Sequence, residues 1–238
     1  MQPELRTITH NVQESSTDFS SGLDASPSKV LRNTYMMLGL TMLPTVAGAF
    51  IGMSMNFSFL AQHPVMGFIG MMAVMFGLFL GISANRNSGV GVALLLALTF
   101  FLGLMLGPIL QVALHLKNGA QLVGLAAGGT GVIFFGLAGI ATVTKKDFSF
   151  LGKFLFIGLI LLILASLANM FFQVPALALT ISAIAVLIFS AYILYDVSQI
   201  VHGGETNYIM ATLALYLDIY NLFVNLLQLL MALTGEKD

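Results

Sequence analysis

Seven long apolar segments, joined by short polar connections, make up most of this 238-residue chain. Each is close to the ~20 residues that an α-helix needs to cross a bilayer. Only 8% of the residues are charged, whereas soluble domains carry about 25%, so a soluble core is excluded. The chain is predicted to be an all-α polytopic membrane protein with seven transmembrane helices, at residues 34–55, 64–84, 89–112, 119–143, 150–172, 176–201 and 208–233.

The polar N-terminal stretch differs from the rest of the chain. Residues 1–28 are rich in serine and contain no apolar run, which predicts a disordered cytoplasmic tail and no signal peptide. Residues 29–238 are predicted to form one seven-helix transmembrane domain. The chain has no cysteine, which excludes disulfides and thiolate metal sites. Its net charge of −1 gives no reason to expect nucleic acid as a partner.

The lysines and arginines predict the orientation in the membrane, because cytoplasmic loops carry an excess of both. Seven of the nine belong to the tail and to connections on one side, namely Arg6, Lys29, Arg32, Arg86, Lys145, Lys146 and Lys153. The opposite side has only Lys117 and Lys237. The N-terminus is therefore predicted to be cytoplasmic and, after seven spans, the C-terminus to lie outside.

Prolines and glycines predict where the helices begin, bend and pack. Ser26 followed by Pro27 is typical of an N-cap with proline in the first helical turn, and Pro64 and Pro175 predict two further helix starts. Pro108 is expected to kink the third helix or to end it early. Glycine pairs at four-residue spacing are interpreted as sites of close helix packing, at positions 77/81, 103/107 and 124/128.

Two aspartates lie inside apolar segments: Asp196 in the sixth and Asp218 in the seventh, on either side of a Gly-Gly turn. A charge at the bilayer centre costs roughly 2.5–3.5 kcal/mol on insertion scales. Both aspartates belong to polar stripes, which must face the protein interior because lipid cannot satisfy them. The other members of these stripes are Tyr192 and Gln199 on the sixth helix, and Asn221, Asn225 and Gln228 on the seventh.

Two interpretations of the aspartates stay open. If the carboxyl groups meet, both cannot ionise cheaply, so they would titrate as a unit and share a proton. Such a pair is a ready pH switch, and its oxygen atoms also suit Ca²⁺. Alternatively, Asp196 and Asp218 each bond to tyrosine, asparagine or main chain and merely fix the helix register. Counted from the turn, their heights differ by roughly 7 Å, so direct contact is feasible but not guaranteed.

Several motifs, in order along the chain, resemble the Bax inhibitor-1 family and, more narrowly, its bacterial YccA-like branch. They are KVLRNTY at 29–35, LGPIL at 106–110, KDFSFLG at 146–152, HGGETNYI at 202–209 and LYLDIYNLF at 215–223. The resemblance implies six helices around a central, polar-striped seventh, in a bacterial inner membrane with a periplasmic C-terminus.

The resemblance also implies a role for the acidic residues. Asp196 in ILYDVSQI and Asp218 in LYLDIYNLF match a di-aspartyl pH sensor on an ion pathway. Members of the family with leak activity place an arginine of the second helix against this pair. The candidate counter-charge here is Arg86, at the end of the second span and not within it.

The predicted function is regulatory. The resemblance implies an inner-membrane protein that binds and modulates the FtsH protease, is itself a substrate through its N-terminal tail, and limits degradation of membrane proteins. The alternative is a pH-gated Ca²⁺ or H⁺ leak channel that uses Asp196 and Asp218. The expected partners are the FtsH complex, the lipid bilayer and, for the alternative, Ca²⁺.

An enzyme is not predicted, because the chain contains no catalytic motif. An intramembrane aspartyl protease would also use two aspartates on neighbouring helices, and Tyr195-Asp196 matches half of its usual setting. However, Asp218 lacks the flanking glycines of the other half. No cofactor and no certain metal site are predicted.

Overall fold

The computed structural model describes residues 26–58, 62–144 and 146–235, which are helical apart from short connections. The helices are α1 (Pro27–Ser54), α2 (Pro64–Ala84), α3 (Gly89–Met105), α4 (Gly107–Leu114), α5 (Gly119–Thr144), α6 (Leu151–Phe172), α7 (Pro175–Val201) and α8 (Tyr208–Thr234). Within these ranges, seven spans are long and apolar enough to cross a membrane, with α3 and α4 together forming the third. The predicted fold class is confirmed, and the chain is a multi-pass membrane protein.

The first helix begins about two turns before the predicted start at residue 34, because its first turns are polar and hydropathy does not detect them. Ser26 occupies the N-cap position and Pro27 the first turn, as predicted. The Ser26 hydroxyl makes no capping bond, however, and its Oγ lies 3.2 Å from Ser28 Oγ. The remainder of the predicted disordered tail, residues 1–25, lies outside the described residues.

Three further prolines act as predicted. Pro64 and Pro175 lie in the first turns of α2 and α7. Pro108 lies in the first turn of α4, so the third span breaks between Met105 and Gly107. The break lets Gln111 Nε2 donate to the main-chain oxygens at the end of α1, at 2.8 Å from Met53 O and 3.0 Å from Met55 O.

The closest helix contact joins α1 to α3 and α4 through glycine. A Cβ added to Gly103 would collide with the main chain of Thr45, and one added to Gly107 would collide with the main chain of Gly52. The predicted packing role is therefore right for the 103/107 pair. It is wrong for Gly77, Gly124 and Gly128, since nothing lies within 4 Å of their added Cβ atoms.

The last helix occupies the centre of the bundle, as predicted. α8 contacts α1, α2, α3, α5 and α7, and its Leu215, Leu222 and Leu227 are fully buried. The second and fifth spans lie at the periphery, with only 6% and 11% of their apolar windows buried. A buried position for α8 lets its polar stripe avoid lipid.

The spans alternate in direction, so the bundle has two ends. The Arg86 end carries the start of α1, the turn between α2 and α3, residues 146–150 and the turn between α7 and α8. Bonds between these connections hold this end together, as when Asn207 Nδ2 donates to Arg86 O at 2.9 Å. At the opposite end, Asn118 Nδ2 donates to Thr234 O at 2.7 Å.

Candidate functional site at the α7–α8 hairpin

The turn between α7 and α8 is fixed by a glycine C-cap. Gly203 has φ +76°, a left-handed conformation that favours glycine. The Gly204 N–H donates to Gln199 O at 2.8 Å and the Gly203 N–H to Ile200 O at 3.2 Å. This pair of bonds is the Schellman motif, which ends a helix and reverses the chain. The predicted role of the Gly-Gly turn is confirmed.

The start of α8 is fixed by Asn207. Its Oδ1 accepts hydrogen bonds from the N–H groups of Ile209 at 3.0 Å and Met210 at 3.1 Å, which makes it an N-cap. Its Nδ2 also donates to Asn87 Oδ1 at 2.7 Å. The hairpin is therefore anchored to the turn between α2 and α3. This anchor fixes how far along the bundle axis Asp196 and Asp218 lie from the Arg86 end.

The two aspartates meet. The side chains of Asp196 and Asp218 are hydrogen-bonded to each other. Asp218 is only 5% exposed, and its buried Oδ2 has no N–H or O–H donor among the described residues. A hydrogen bond between two carboxyl groups requires a proton on one of them, because two carboxylates offer only acceptors. A proton shared by Asp196 and Asp218 stays a prediction, which their contact makes possible.

Opposite helix directions explain how the two carboxyl groups reach each other. Side chains in an α-helix lean toward the N-terminus of their own helix. α7 runs toward the Arg86 end and α8 away from it, so Asp196 leans away from the turn and Asp218 leans toward it. Asp218 is the more distant of the two from the turn. The side chains thus lean toward each other and offset the height difference of roughly 7 Å.

The other predicted stripe residues are spread along the hairpin. Tyr192 is close enough to interact electrostatically with both carboxyl groups. Asn221 and Asn225 each donate to the main-chain oxygen four residues earlier on α8. Gln228 Oε1 accepts from Ser182 Oγ at 2.8 Å and so ties α8 to α7 near the opposite end of the bundle. Tyr192 therefore lies near the aspartates, whereas the hydrogen bonds of these three residues are made to other groups.

A cavity of about 220 Å³ connects the pair to the Arg86 end. Asp196 lines it together with Gln199, Gly204 and Glu205, whereas Asp218 is not part of its wall. Sequence reasoning did not predict this position of Glu205. The only sequence signal was its place directly after the Gly-Gly cap, which turns the chain back over the end of α7.

Residues 146–150 pack against the end of α7 beside this cavity. The Phe148 N–H donates to Ser198 Oγ at 3.0 Å, and Gln199 Nε2 donates to Ser149 Oγ at 3.1 Å. The side-chain and backbone hydrogen bonds that Asp147 accepts from Ser149 hold the pKa of that exposed carboxyl below its usual range. Asp147 therefore stays ionised beside the cavity.

Comparison with known proteins agrees with the motifs. The sequence model of the family described as "Inhibitor of apoptosis-promoting Bax1" matches residues 27–235. The chain belongs to the Bax inhibitor-1 family. The match covers every described helix, including the α7–α8 hairpin with both aspartates.

The curated relatives of this family member are similar over most of their length. The Escherichia coli K12 protein named "Modulator of FtsH protease YccA" is 42% identical over 205 residues, which cover 86% of this chain and 90% of that protein. An uncharacterized protein of Pseudomonas aeruginosa is 44% identical over 209 residues, 88% of this chain and 91% of its own. One from Neisseria meningitidis is 41% identical over 213 residues, with coverages of 89% and 94%.

Arg86 does not lie inside the bundle of this Bax inhibitor-1 family member. It is exposed in the turn between α2 and α3, and its described hydrogen bond is made by the main-chain oxygen. Its role as a counter-charge to Asp196 and Asp218 stays a prediction.

The two aspartates supply too few oxygen ligands to hold a resident Ca²⁺ ion by themselves. In the described ranges, no group of three or more His, Asp or Glu side chains could hold a metal ion. Ca²⁺ takes six to eight oxygen ligands, of which two aspartates supply at most four. A cation at Asp196 and Asp218 would need further ligands from water.

Proposed function

We propose that the protein is a membrane-embedded regulator that binds an FtsH-type protease and limits degradation of membrane proteins. The similarity to the protein named modulator of FtsH protease carries this proposal. It covers 86% of this chain and 90% of that relative, so it is a likeness over most of the chain and not an isolated motif.

The proposal includes the orientation of the bundle in the membrane and the side from which the protease reaches it. The charge asymmetry supports a cytoplasmic Arg86 end, because seven of nine lysines and arginines belong to the tail and that end. A relative in another Escherichia coli strain is named an inner membrane protein, which supports the same membrane here. α1 begins at this end, so the N-terminal 25 residues would extend toward a cytoplasmic protease.

The tail is proposed to be the handle by which the protease degrades this protein. Deleting residues 1–25 should lengthen its half-life several-fold in cells that express FtsH, because a processive protease needs an unfolded segment to engage. Pulse-chase measurement of the full chain and of the truncated chain tests this. A chain whose tail is replaced by a scrambled sequence of the same composition is the control. Equal half-lives for the full and truncated chains would remove the handle.

Binding and modulation need a separate measurement. Co-purification of the full chain with FtsH, and the rate at which FtsH degrades a second membrane protein in proteoliposomes with and without this chain, test the regulatory proposal. We expect a complex and a slower rate. If this chain neither binds FtsH nor changes the rate, the regulatory function is wrong even if the tail serves as a handle.

A pH-gated leak of protons or Ca²⁺ is the second candidate. It is supported by the contact between Asp196 and Asp218 and by the cavity that reaches Asp196 from the Arg86 end. Loss of the shared proton would leave two carboxylates in contact, and their repulsion would open the hairpin. A passing cation could then replace the proton between them.

Flux measurements in liposomes test this candidate. The intact chain should conduct more at neutral than at acidic pH, and the double variant Asp196→Asn with Asp218→Asn should lose the pH dependence. Asparagine keeps the size and hydrogen bonding of aspartate but cannot titrate. The matched control is Asp147→Asn, which changes an exposed carboxyl at the same end. A double variant that retains the pH dependence would exclude the aspartate gate.

A further inference from the structure

Gln199 lies between Asp196 and the Arg86 end on the wall of the cavity described above. Both Gln199 and Asp196 line this cavity, and their spacing of three residues places them on one face of α7. At 1.5 Å per residue, their Cα atoms differ in height by about 4.5 Å. Water or an ion that enters from the Arg86 end therefore meets Gln199 before it reaches Asp196.

The nitrogen of the Gln199 amide is held by the segment before α6. Its Nε2 donates to Ser149 Oγ at 3.1 Å. This segment is itself fixed to α7, because the Phe148 N–H donates to Ser198 Oγ at 3.0 Å. Residues 146–150 therefore form a bracket at the end of α7, and Ser149 is the point at which the bracket reaches the cavity wall.

The oxygen of the same amide lies against the turn between α7 and α8. A Cβ added to Gly204 would collide with Gln199 Oε1. Gly203 favours glycine because its φ is +76°, but the φ of Gly204 lies outside the left-handed region, so its main chain would accept another residue. The second glycine of the turn is therefore explained by the space that the Gln199 amide occupies.

The Gln199 amide thus bridges the two sides of the approach to Asp196, from the bracket at residues 146–150 to the α7–α8 turn. A single neutral hydrogen bond shifts an equilibrium about two- to tenfold. The bond to Ser149 is therefore strong enough to favour this position of the amide and weak enough to be released.

We propose that the Gln199 side chain is a latch that narrows the path between the Arg86 end and Asp196. The latch is closed when the amide is bonded to Ser149 and packed on Gly204. When the amide swings away from both, the cavity widens, and water or a hydrated cation reaches Asp196. This inference deepens the second candidate function, the pH-gated leak, and rests on it for the role of the latch.

The test measures access to the cavity with a single cysteine, because the natural chain has none. The full chain carrying Ala214→Cys, on the α8 wall of the cavity, is placed in nanodiscs and treated with a methanethiosulfonate reagent that bears a trimethylammonium cation. Intact-mass spectrometry gives the rate of modification. Thr206→Cys, at an exposed position of the α7–α8 turn that is not part of the cavity wall, reports the reactivity of a thiol outside the latch.

Two substitutions release the latch from opposite sides. Ser149→Ala removes the acceptor of Gln199 Nε2. Gly204→Ala displaces Gln199 Oε1, which is the far end of a flexible side chain and can move aside. Each should speed the modification of Ala214→Cys about two- to tenfold, the worth of one hydrogen bond, and leave the rate at Thr206→Cys unchanged.

Two controls separate the latch from a general change at this end of the bundle. Ser149→Thr keeps the hydroxyl group that accepts from Gln199, so its Ala214→Cys thiol should react at the parent rate. Gly89→Ala adds a methyl group at an open position at the start of α3, where nothing lies within 4 Å of the added Cβ. It should also leave the rate unchanged.

The outcomes distinguish the latch from the leak. Ala214→Cys rates in the Ser149→Ala and Gly204→Ala chains that equal the rate in the Gly89→Ala chain would overturn the latch. An equal acceleration at Thr206→Cys would overturn it too, since the whole turn would then have loosened. Ion flux in liposomes is measured separately. Faster modification of Ala214→Cys alone, in a chain that conducts no ions at any pH, would support the latch and exclude the leak.

Discussion

Asp218 loses nearly all contact with water because α8 packs into the centre of the bundle. Its carboxyl group therefore needs a hydrogen-bonding partner within the protein. A charged side chain at bilayer depth costs roughly 2.5–3.5 kcal/mol or more. Its buried Oδ2 has no donor from the main chain or from an amide in the described residues. Contact with Asp196 would lower this cost if one proton is held between the two carboxyl groups, since that removes one of the two charges.

The contact predicts a difference between two substitutions at Asp196. Asp196→Ala should lower the free energy of unfolding by about 1–3 kcal/mol, because it leaves a buried carboxyl without its hydrogen bond. Asp196→Asn should cost less, since its amide N–H can donate to Asp218. Reversible unfolding in mixed detergent micelles measures both, with the exposed Asp147→Ala as control. Equal losses for the alanine and asparagine variants would contradict a bonded pair.

At the scale of helices, two antiparallel contacts shape the molecule. In the α7–α8 hairpin, the side chains of Asp196 and Asp218 lean toward each other because the two helices run in opposite directions. The caps at Gly203 and Asn207 fix how α7 and α8 are aligned along their axes. Between α1 and α3, glycine removes the side-chain layer and main chains touch. In lipid, where the hydrophobic effect does not drive helices together, such close packing is a main source of stability.

Gly103 and Gly128 therefore predict opposite results for the same substitution. Gly103→Ala should destabilise the protein by about 1–3 kcal/mol, because its Cβ would meet the main chain of Thr45, which cannot move aside as a flexible side chain could. Gly128→Ala should be neutral or stabilising by about 0.5–1 kcal/mol, since alanine favours helix and the position is open. Thermal unfolding in the same detergent compares them. A loss at Gly128 as large as that at Gly103 would show that another molecule packs there.

At the scale of the whole molecule, the bundle is arranged around α8, and the charges are concentrated at one end. The second and fifth spans are the least buried, so most of their side chains face lipid or partners. The turn that follows Asp196 and the turn that carries Arg86 are bonded together at the same end. The cavity to Asp196 opens there too, so the orientation in the membrane decides which compartment reaches the aspartates.

Single cysteines test this orientation, because the natural chain has none. Thr206→Cys lies at the Arg86 end and Gln62→Cys at the opposite end, and both positions are exposed. In intact cells, a membrane-impermeant maleimide should label Gln62→Cys only, and Thr206→Cys should react only after lysis. The reverse labelling pattern would place the cavity on the outer side and contradict the proposed cytoplasmic tail.

Local features of the sequence were sufficient to predict the elements of this fold. Most span boundaries follow from hydropathy and from proline and glycine, because a helix in lipid must satisfy its own main chain and be apolar over a fixed length. The first span is the exception, since its early turns are polar. The polar stripe with Asp218 likewise predicted that this face of α8 looks into the protein, and the family resemblance implied its central position.

The tertiary structure alone decided which of these local signals come together. Spacing could not separate Gly103, which meets a neighbouring helix, from Gly128, which does not, because helical period is the same on either face. Nor could it decide whether Asp196 and Asp218 touch, or whether Glu205 lies at their cavity. Each of these depends on the relative height and rotation of helices, which short connections limit but only packing between distant segments fixes.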